Sequence, residues 1–283
     1  MKIAVASGKG GTGKTTIAAC LARVLSNTRR SVQYLDCDVE EPNGHLFLKP
    51  AWEEPEPVTV PVPEVITGKC IGCGKCGEIC QYSAITCIKG KVLTFPELCH
   101  GCGGCLRVCP TGAIREVGRE VGVVERGKAG KIDFVHGRLH VGEAMSPPLI
   151  RKVRQTITNG ENTIIDAPPG TSCPVITAIN GVDFVLLATE PTPFGLSDLA
   201  LAIDMVRELK LPHAVVVNRH EDENDSARRF CEEKGVEIVG EIPDDRRIAE
   251  AYSRGELPVD ALPEYENTFR AIWARVNNMM VPA

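Results

Sequence analysis

Gly8-Lys9-Gly10-Gly11-Thr12-Gly13-Lys14-Thr15 fills every fixed position of the phosphate-binding pattern G-x-x-x-x-G-K-[ST]. An apolar run at 3–7 reads as a buried strand before it, and 16–22 read as the start of a helix. In that setting the backbone N–H groups of the loop and of the helix N-terminus converge where the helix dipole favours an anion. The expected nucleotide contacts are Gly8, Lys9, Gly10, Gly11, Thr12, Gly13, Lys14, Thr15 and Thr16, with Lys14 on the β and γ phosphates and the Thr15 hydroxyl on Mg²⁺. A glycine loop without a ligand would not need this strand, this helix or the Lys-Thr pair.

A second chemistry is written in cysteine. Cys70-x2-Cys73-x2-Cys76-x3-Cys80 is followed by Cys99-x2-Cys102-x2-Cys105-x3-Cys109-Pro110. In each run three thiolates wrap one [4Fe–4S] cubane and the fourth is passed to the other cluster. The expected sets are Cys70, Cys73, Cys76 and Cys109 for one cluster and Cys80, Cys99, Cys102 and Cys105 for the other. Zinc is the alternative, but a tetrahedral site calls for two pairs rather than two quartets. Ser83-Ala84-Ile85 and Thr111-Gly112-Ala113-Ile114 repeat after each run, and 64–118 resemble a two-cluster ferredoxin throughout. Gln81 stands where that pattern usually has proline, which ligates nothing. Cys87 lies outside both sets and reads as a core thiol.

The elements that must position these groups follow the phosphate loop. Arg29 and Arg30 lead into a strand at 32–35 that ends in Asp36-Cys37-Asp38. In open parallel sheets ligands bind at the C-terminal strand ends, so the two acids arrive beside the phosphates and can orient a water or a Mg²⁺ shell. A strand at 162–166 ends in Asp166, followed by Ala167-Pro168-Pro169-Gly170-Thr171-Ser172. A carboxylate there suits a Mg²⁺ water, and the glycine can offer its N–H to the γ-phosphate. Further strands at 182–188, 213–219 and 235–245 end in Glu190, Asn218 and Pro243-Asp244, with a helix to Leu209 between the first two. A hairpin is expected over 121–135, then a loop carrying His136, His140 and Met145, read as structural or interface residues, and a helix over 149–157.

The early lysine in KGGTGKT resembles the deviant Walker A motif of the MinD, ParA, Mrp and nitrogenase iron protein family, and DAPPGTS resembles the corresponding Mrp-type segment. The resemblance implies a slow ATPase and a nucleotide-dependent homodimer in which Lys9 crosses to the partner's nucleotide. By the same likeness Asp38 activates water, Asp36 serves the metal side, Asn218 reads the adenine edge, and Pro243 and Asp244 border the base. Mrp-type relatives hold a transferable cluster on a C-x-x-C pair, whereas after the two cysteine runs this chain has only Cys173 and Cys231, far apart in sequence.

At 283 residues with a net charge of −5, the chain has no electrostatic footprint for nucleic acid. No apolar run reaches membrane-spanning length, and the first strand starts too early to leave room for a signal peptide. Thirteen cysteines spaced for metal point to a reducing cytoplasm. The C-terminal helix carries Tyr265, Phe269, Ile272, Trp273 and Val276 at core spacing, with only Arg270 and Arg275 cationic. The expected fold is a doubly wound, mostly parallel α/β P-loop domain from 1–58 and 119–283, interrupted at 59–118 by an α+β bacterial-type ferredoxin domain. The proline-rich stretch 50–63 is expected as a linker or a flanked edge strand. Two functions fit: nucleotide-coupled electron transfer to a redox partner, or ATP-dependent delivery of clusters or metal cofactors to an apo-metalloprotein.

Overall fold

The computed structural model describes residues 1–28, 31–158, 160 and 162–280. Arg29 and Arg30 lie outside them. The chain divides into a first unit of Met1–Pro55, Val124–Arg138 and Ile150–Ala283 and a second of Glu56–Val123 and Leu139–Leu149.

In the first unit β1 (Lys2–Ala6), α1 (Lys14–Ser26), β2 (Val32–Asp36), α2 (Gly44–Leu48) and β3 (Ala51–Trp52) come first. In the second, β4 (Glu56–Val65), α3 (Lys75–Ile79), β5 (Ile85–Ile88), β6 (Lys91–Thr94) and α4 (Gly104–Val108) lead to β7 (Ile114–Ala129), whose last residues from Val124 belong to the first unit. Then follow β8 (Ile132–Leu139), α5 (Pro147–Arg154), β9 (Asn162–Asp166), α6 (Cys173–Ile179), β10 (Phe184–Thr189), α7 (Pro193–Glu208), β11 (His213–His220), α8 (Ser226–Lys234), β12 (Ile238–Pro243), α9 (Arg246–Ser253), α10 (Pro258–Ala261) and α11 (Glu264–Met280).

The strand order is β12-β11-β10-β1-β9-β2-β8-β7-β3, with every pair from β12 to β8 parallel. Its central strands are buried along almost their whole length, which is why they read as continuous apolar runs rather than alternating ones. Parallel register brings the C-terminal ends of β1, β9 and β2 level: Val5 pairs with Asp166, and Asp166 with Asp36. The phosphate loop and two acids therefore meet at one edge of the sheet because of the strand order alone. On one side of the sheet α1 packs with α11, burying Ile17, Leu21, Phe269, Ile272 and Val276. A Cβ at Gly240 of β12 would stand 2.3 Å from Ile272, so only glycine admits α11 this close.

The second unit has a small core of Cys76, Ile85 and Ile114, with Val65, Val92, Cys80, Cys105 and Cys109 against it. The duplication seen in the sequence recurs in the backbone. Gly74 and Gly103 precede α3 and α4 with φ of 77° and 70°, and Gly72 and Gly101 lie at 68° and 67°. These left-handed turns curl the chain around the thiols between them.

One open alternative is decided and two expectations change. The stretch 50–63 holds β3 and most of β4, the edge-strand alternative, with Val58, Val60 and Val62 buried alternately and Pro57 and Pro61 exposed. His136 lies in β8 rather than in a loop, paired with Asp36 of β2. The helix expected at 149–157 is α5, which starts at Pro147, where the fixed φ of proline suits a first turn.

Candidate nucleotide site and cysteine cavities

Lys14 opens α1, and Gly13, its N-cap at φ 87°, has no side chain to occupy the first amides. Those amides face a cavity of about 430 Å³ lined by Gly10, Gly11, Gly13, Lys14, Thr15 and Thr16, and also by Asp38, Asn43, Pro169, Asn218, Pro243 and Asp244. Of the residues singled out in the sequence for nucleotide, Gly8, Lys9 and Thr12 do not line it. Gly8 packs against the Asp198 backbone, where a Cβ would stand 2.1 Å from a carbonyl oxygen. The Thr12 carbonyl accepts a hydrogen bond from Asn218 Nδ2 at 3.0 Å. That bond uses one of the two amide N–H groups on the phosphate loop and leaves the other N–H and the Asn218 carbonyl oxygen for a ligand.

Glu41, Arg219, Tyr252, Tyr265 and Phe269 also line the cavity. Sequence reasoning missed them or read them only as core. The Tyr265 hydroxyl donates to Asp245 Oδ2 at 2.8 Å, so the polar end of an aromatic read as core is satisfied beside the cavity.

Three acids stand at the ends of β2 and β9, two of them within reach of the Lys14 charge. Asp38 is on the cavity wall, and burial, partly offset by Lys14, pushes its carboxyl up to about 6. Asp166 is fully buried, and its pKa is raised by burial against the pull of Lys14, Thr15 and Tyr34. Its Oδ1 is buried without a hydrogen-bond partner among the described residues. That orphaned oxygen beside the Thr15 hydroxyl fits a divalent cation or its water. Asp36 is not on the wall. Both its oxygens are engaged by backbone amides: Asp38 N–H at 3.1 Å, Asn43 N–H at 3.1 Å and Gly44 N–H at 2.9 Å. It anchors the loop from Asp38 to Gly44, and burial with Asp166 alongside raises its pKa strongly. The Gly170 N–H, expected to be available to a γ-phosphate, here donates to the Ser7 carbonyl at 3.0 Å.

Lys9 is held near Glu190, its Nζ 3.8 Å from Oε2. Arg219 approaches the other oxygen at 2.8 Å, close enough for ion pairing although not aligned for a hydrogen bond.

In the second unit the eight cysteines fall into two cavities. Cys70, Cys73, Cys76 and Cys109 line one, and Cys80, Cys99, Cys102 and Cys105 the other. The fourth thiol of each run thus stands with the first three of the other. Among the described residues no group of three or more His, Cys, Asp and Glu is drawn in tightly enough to grip one ion; the thiols stand around hollows instead. Against the penalty of burial, amides of Tyr82 and Ile85 lower the Cys80 thiol, and those of Ala113 and Thr111 lower Cys109. Burial raises the Cys76 and Cys105 thiols. Four soft sulfur donors around each hollow fit an iron–sulfur cluster. Cys87 is in neither lining and donates weakly to the Gly72 carbonyl. His140 pairs with Glu120 at 2.8 Å, and His136 with Glu125 at 2.8 Å.

A parallel sheet with this loop at the end of β1 and acids at the ends of β2 and β9 defines a P-loop nucleotide-binding domain. A family model described as the CobQ/CobB/MinD/ParA nucleotide binding domain matches residues 3–259, and the chain belongs to that family. An uncharacterized protein of Methanocaldococcus jannaschii is 37% identical over 221 residues, covering 77% of this chain and 78% of its own length. An iron-sulfur cluster carrier protein of Pyrococcus abyssi is 25% identical over 273 residues, 91% of this chain and 78% of that protein. Among solved structures, the septum site-determining protein MinD of Pyrococcus horikoshii, complexed with Mg-ADP, matches with a TM-score of 0.63 at 18% identity, covering 100% of this chain and 99% of its own. Among the described residues no helix is long and apolar enough to cross a membrane.

Proposed function

We propose that this chain is a slow, Mg²⁺-dependent ATPase carrying two [4Fe–4S] clusters, and that its nucleotide state governs electron transfer through them. The ferredoxin domain is assigned to 59–118, inserted in a P-loop domain of 1–58 and 119–283. The observation that carries the reading is the partition of eight cysteines into two sets of four, each lining its own cavity, in a chain that also holds a complete phosphate loop. Four thiolates per cluster leave no position open for an acceptor protein, which suits clusters that stay and pass electrons.

In this reading the amides from Gly10 to Lys14 hold the phosphates and Lys14 offsets their charge. Thr15 and Asp166 would hold Mg²⁺, which when bound would neutralise phosphate charge, while Asp36 would support the metal side through the loop it anchors. Asp38 accepts the proton of the attacking water as the bridging β–γ oxygen leaves with ADP; a carboxyl with a pKa near 6 suits that task at neutral pH. The Asn218 carbonyl oxygen accepts from the adenine amino group, with Pro243 and Asp244 beside the base. Lys9 leaves Glu190 and reaches the nucleotide of a second copy in a homodimer. The partner is a redox protein, in the cytoplasm.

A second reading, cluster or metallocofactor delivery, is favoured by the carrier named among the relatives and by the exposed thiol of Cys173. Retention of iron separates the two. Anaerobically loaded protein, carrying about eight irons per chain, is incubated with Mg-ATP and an apo-ferredoxin. Electron transfer requires the iron to stay; ATP-accelerated loss of a whole cluster to the acceptor, abolished by Cys173→Ser, would replace it with delivery.

A further inference from the structure

Tyr34 lies two residues before Asp36, on the same face of β2. It is fully buried, and a hydroxyl there needs a partner. It has one: the hydroxyl donates to Asp166 Oδ2 at 3.1 Å, diagonally across the β2–β9 pair. Phe134 of β8 stacks on the ring with centroids 5.3 Å apart and planes inclined by 18°, so the ring has no freedom to turn. The same ring is the floor under the loop. A Cβ at Gly44 would stand 2.7 Å from both Tyr34 Cε1 and the hydroxyl oxygen, so glycine alone lets the loop settle there. From that seat the Gly44 and Asn43 amides reach Asp36, and Asn43 lines the nucleotide cavity.

One side chain therefore touches both the Asp166 carboxylate and the loop that Asp36 anchors. With Oδ2 tied to Tyr34, the buried and unpartnered Oδ1 is the oxygen left for other use. We propose that Tyr34 is a positioning residue for the magnesium-nucleotide reaction: its hydroxyl sets the rotation of the Asp166 carboxylate, and its ring seats Gly44 and with it the wall residue Asn43. This rests on the ATPase reading above. No phosphate pattern in the sequence points to it, because a tyrosine inside an apolar strand reads as core.

Tyr34→Phe removes the hydroxyl and keeps the ring. ADP affinity is measured by calorimetry with and without Mg²⁺, and steady-state hydrolysis gives kcat and KM. Without Mg²⁺ the variant binds ADP as the wild type does. The strengthening of ADP binding by Mg²⁺ falls by roughly tenfold, the order expected for one hydrogen bond to a charged group. The kcat/KM for Mg-ATP falls by at least a similar factor while Mg²⁺-free ADP binding stays within about twofold of wild type, a split that simple loss of packing does not produce. Gly44→Ala, which pushes on the hydroxyl from the loop side, produces the same Mg²⁺ defect and carries the test if Tyr34→Phe does not fold. Wild-type strengthening by Mg²⁺ in whichever of these variants folds overturns the role of Tyr34. A wild type whose ADP binding ignores Mg²⁺ overturns the ATPase reading itself.

Discussion

Lys14→Gln is expected to lower ATP hydrolysis by about 100-fold or more, the scale found when one preorganised charge-stabilising donor is removed. Lys14 is buried at the start of α1, and its charge partly offsets the rise that burial imposes on the Asp38 and Asp166 carboxyls. Glutamine keeps the length and a donor but not the charge. Developing negative charge on the phosphates then meets Asp38 and Asp166 with no cation from the first turn of this helix. Steady-state phosphate release checks it, alongside thermal unfolding of the nucleotide-free protein to show that the fold persists. Hydrolysis within a fewfold of wild type would mean that the loop does not hold a triphosphate in the way its pattern implies.

The second large effect is selective loss of iron. Cys76→Ser and Cys109→Ser stand 33 positions apart in sequence yet line one cavity, so each is expected to abolish the same cluster and leave about four irons per chain. Cys80→Ser, only four positions from Cys76, is expected to abolish the other. Iron counting and low-temperature spectra of the reduced variants distinguish these outcomes. If Cys76→Ser and Cys80→Ser lose the same cluster, the crossed arrangement of thiols does not hold clusters, whatever the cavities suggest.

Much of the fold was readable because its signals are local. A strand, a glycine turn and a helix start lie within some twenty residues around Lys14, and each cysteine run is complete within eleven positions. Acids at strand ends could be placed because parallel strand order dictates where strand ends meet. What escaped the sequence depends on distant chain segments. Tyr252, Tyr265 and Phe269 reach the nucleotide cavity only because α9 and α11 fold back beside β12, and nothing near them in sequence marks a binding role. Glu190 was read as part of a strand-end loop, and only the structure puts it beside Lys9. Asp36 was read as a metal-side acid, but three amides claim its oxygens, a feature of loop path rather than residue type. The prolines of β4 left linker and edge strand both open, and the alternating buried valines between them decide for the strand.

The central claim is that the nucleotide and the clusters act on one another, and the cluster reduction potentials test it most directly. Anaerobic wild-type protein is titrated with dithionite in Mg-ADP and again in a Mg-bound, non-hydrolysable ATP analogue, with electron transfer to a redox dye followed in both. The account predicts that potential or transfer rate changes between the two nucleotides, and that Lys14→Gln removes the difference. Identical potentials and identical rates in both states, from fully loaded protein that binds both nucleotides, would contradict it.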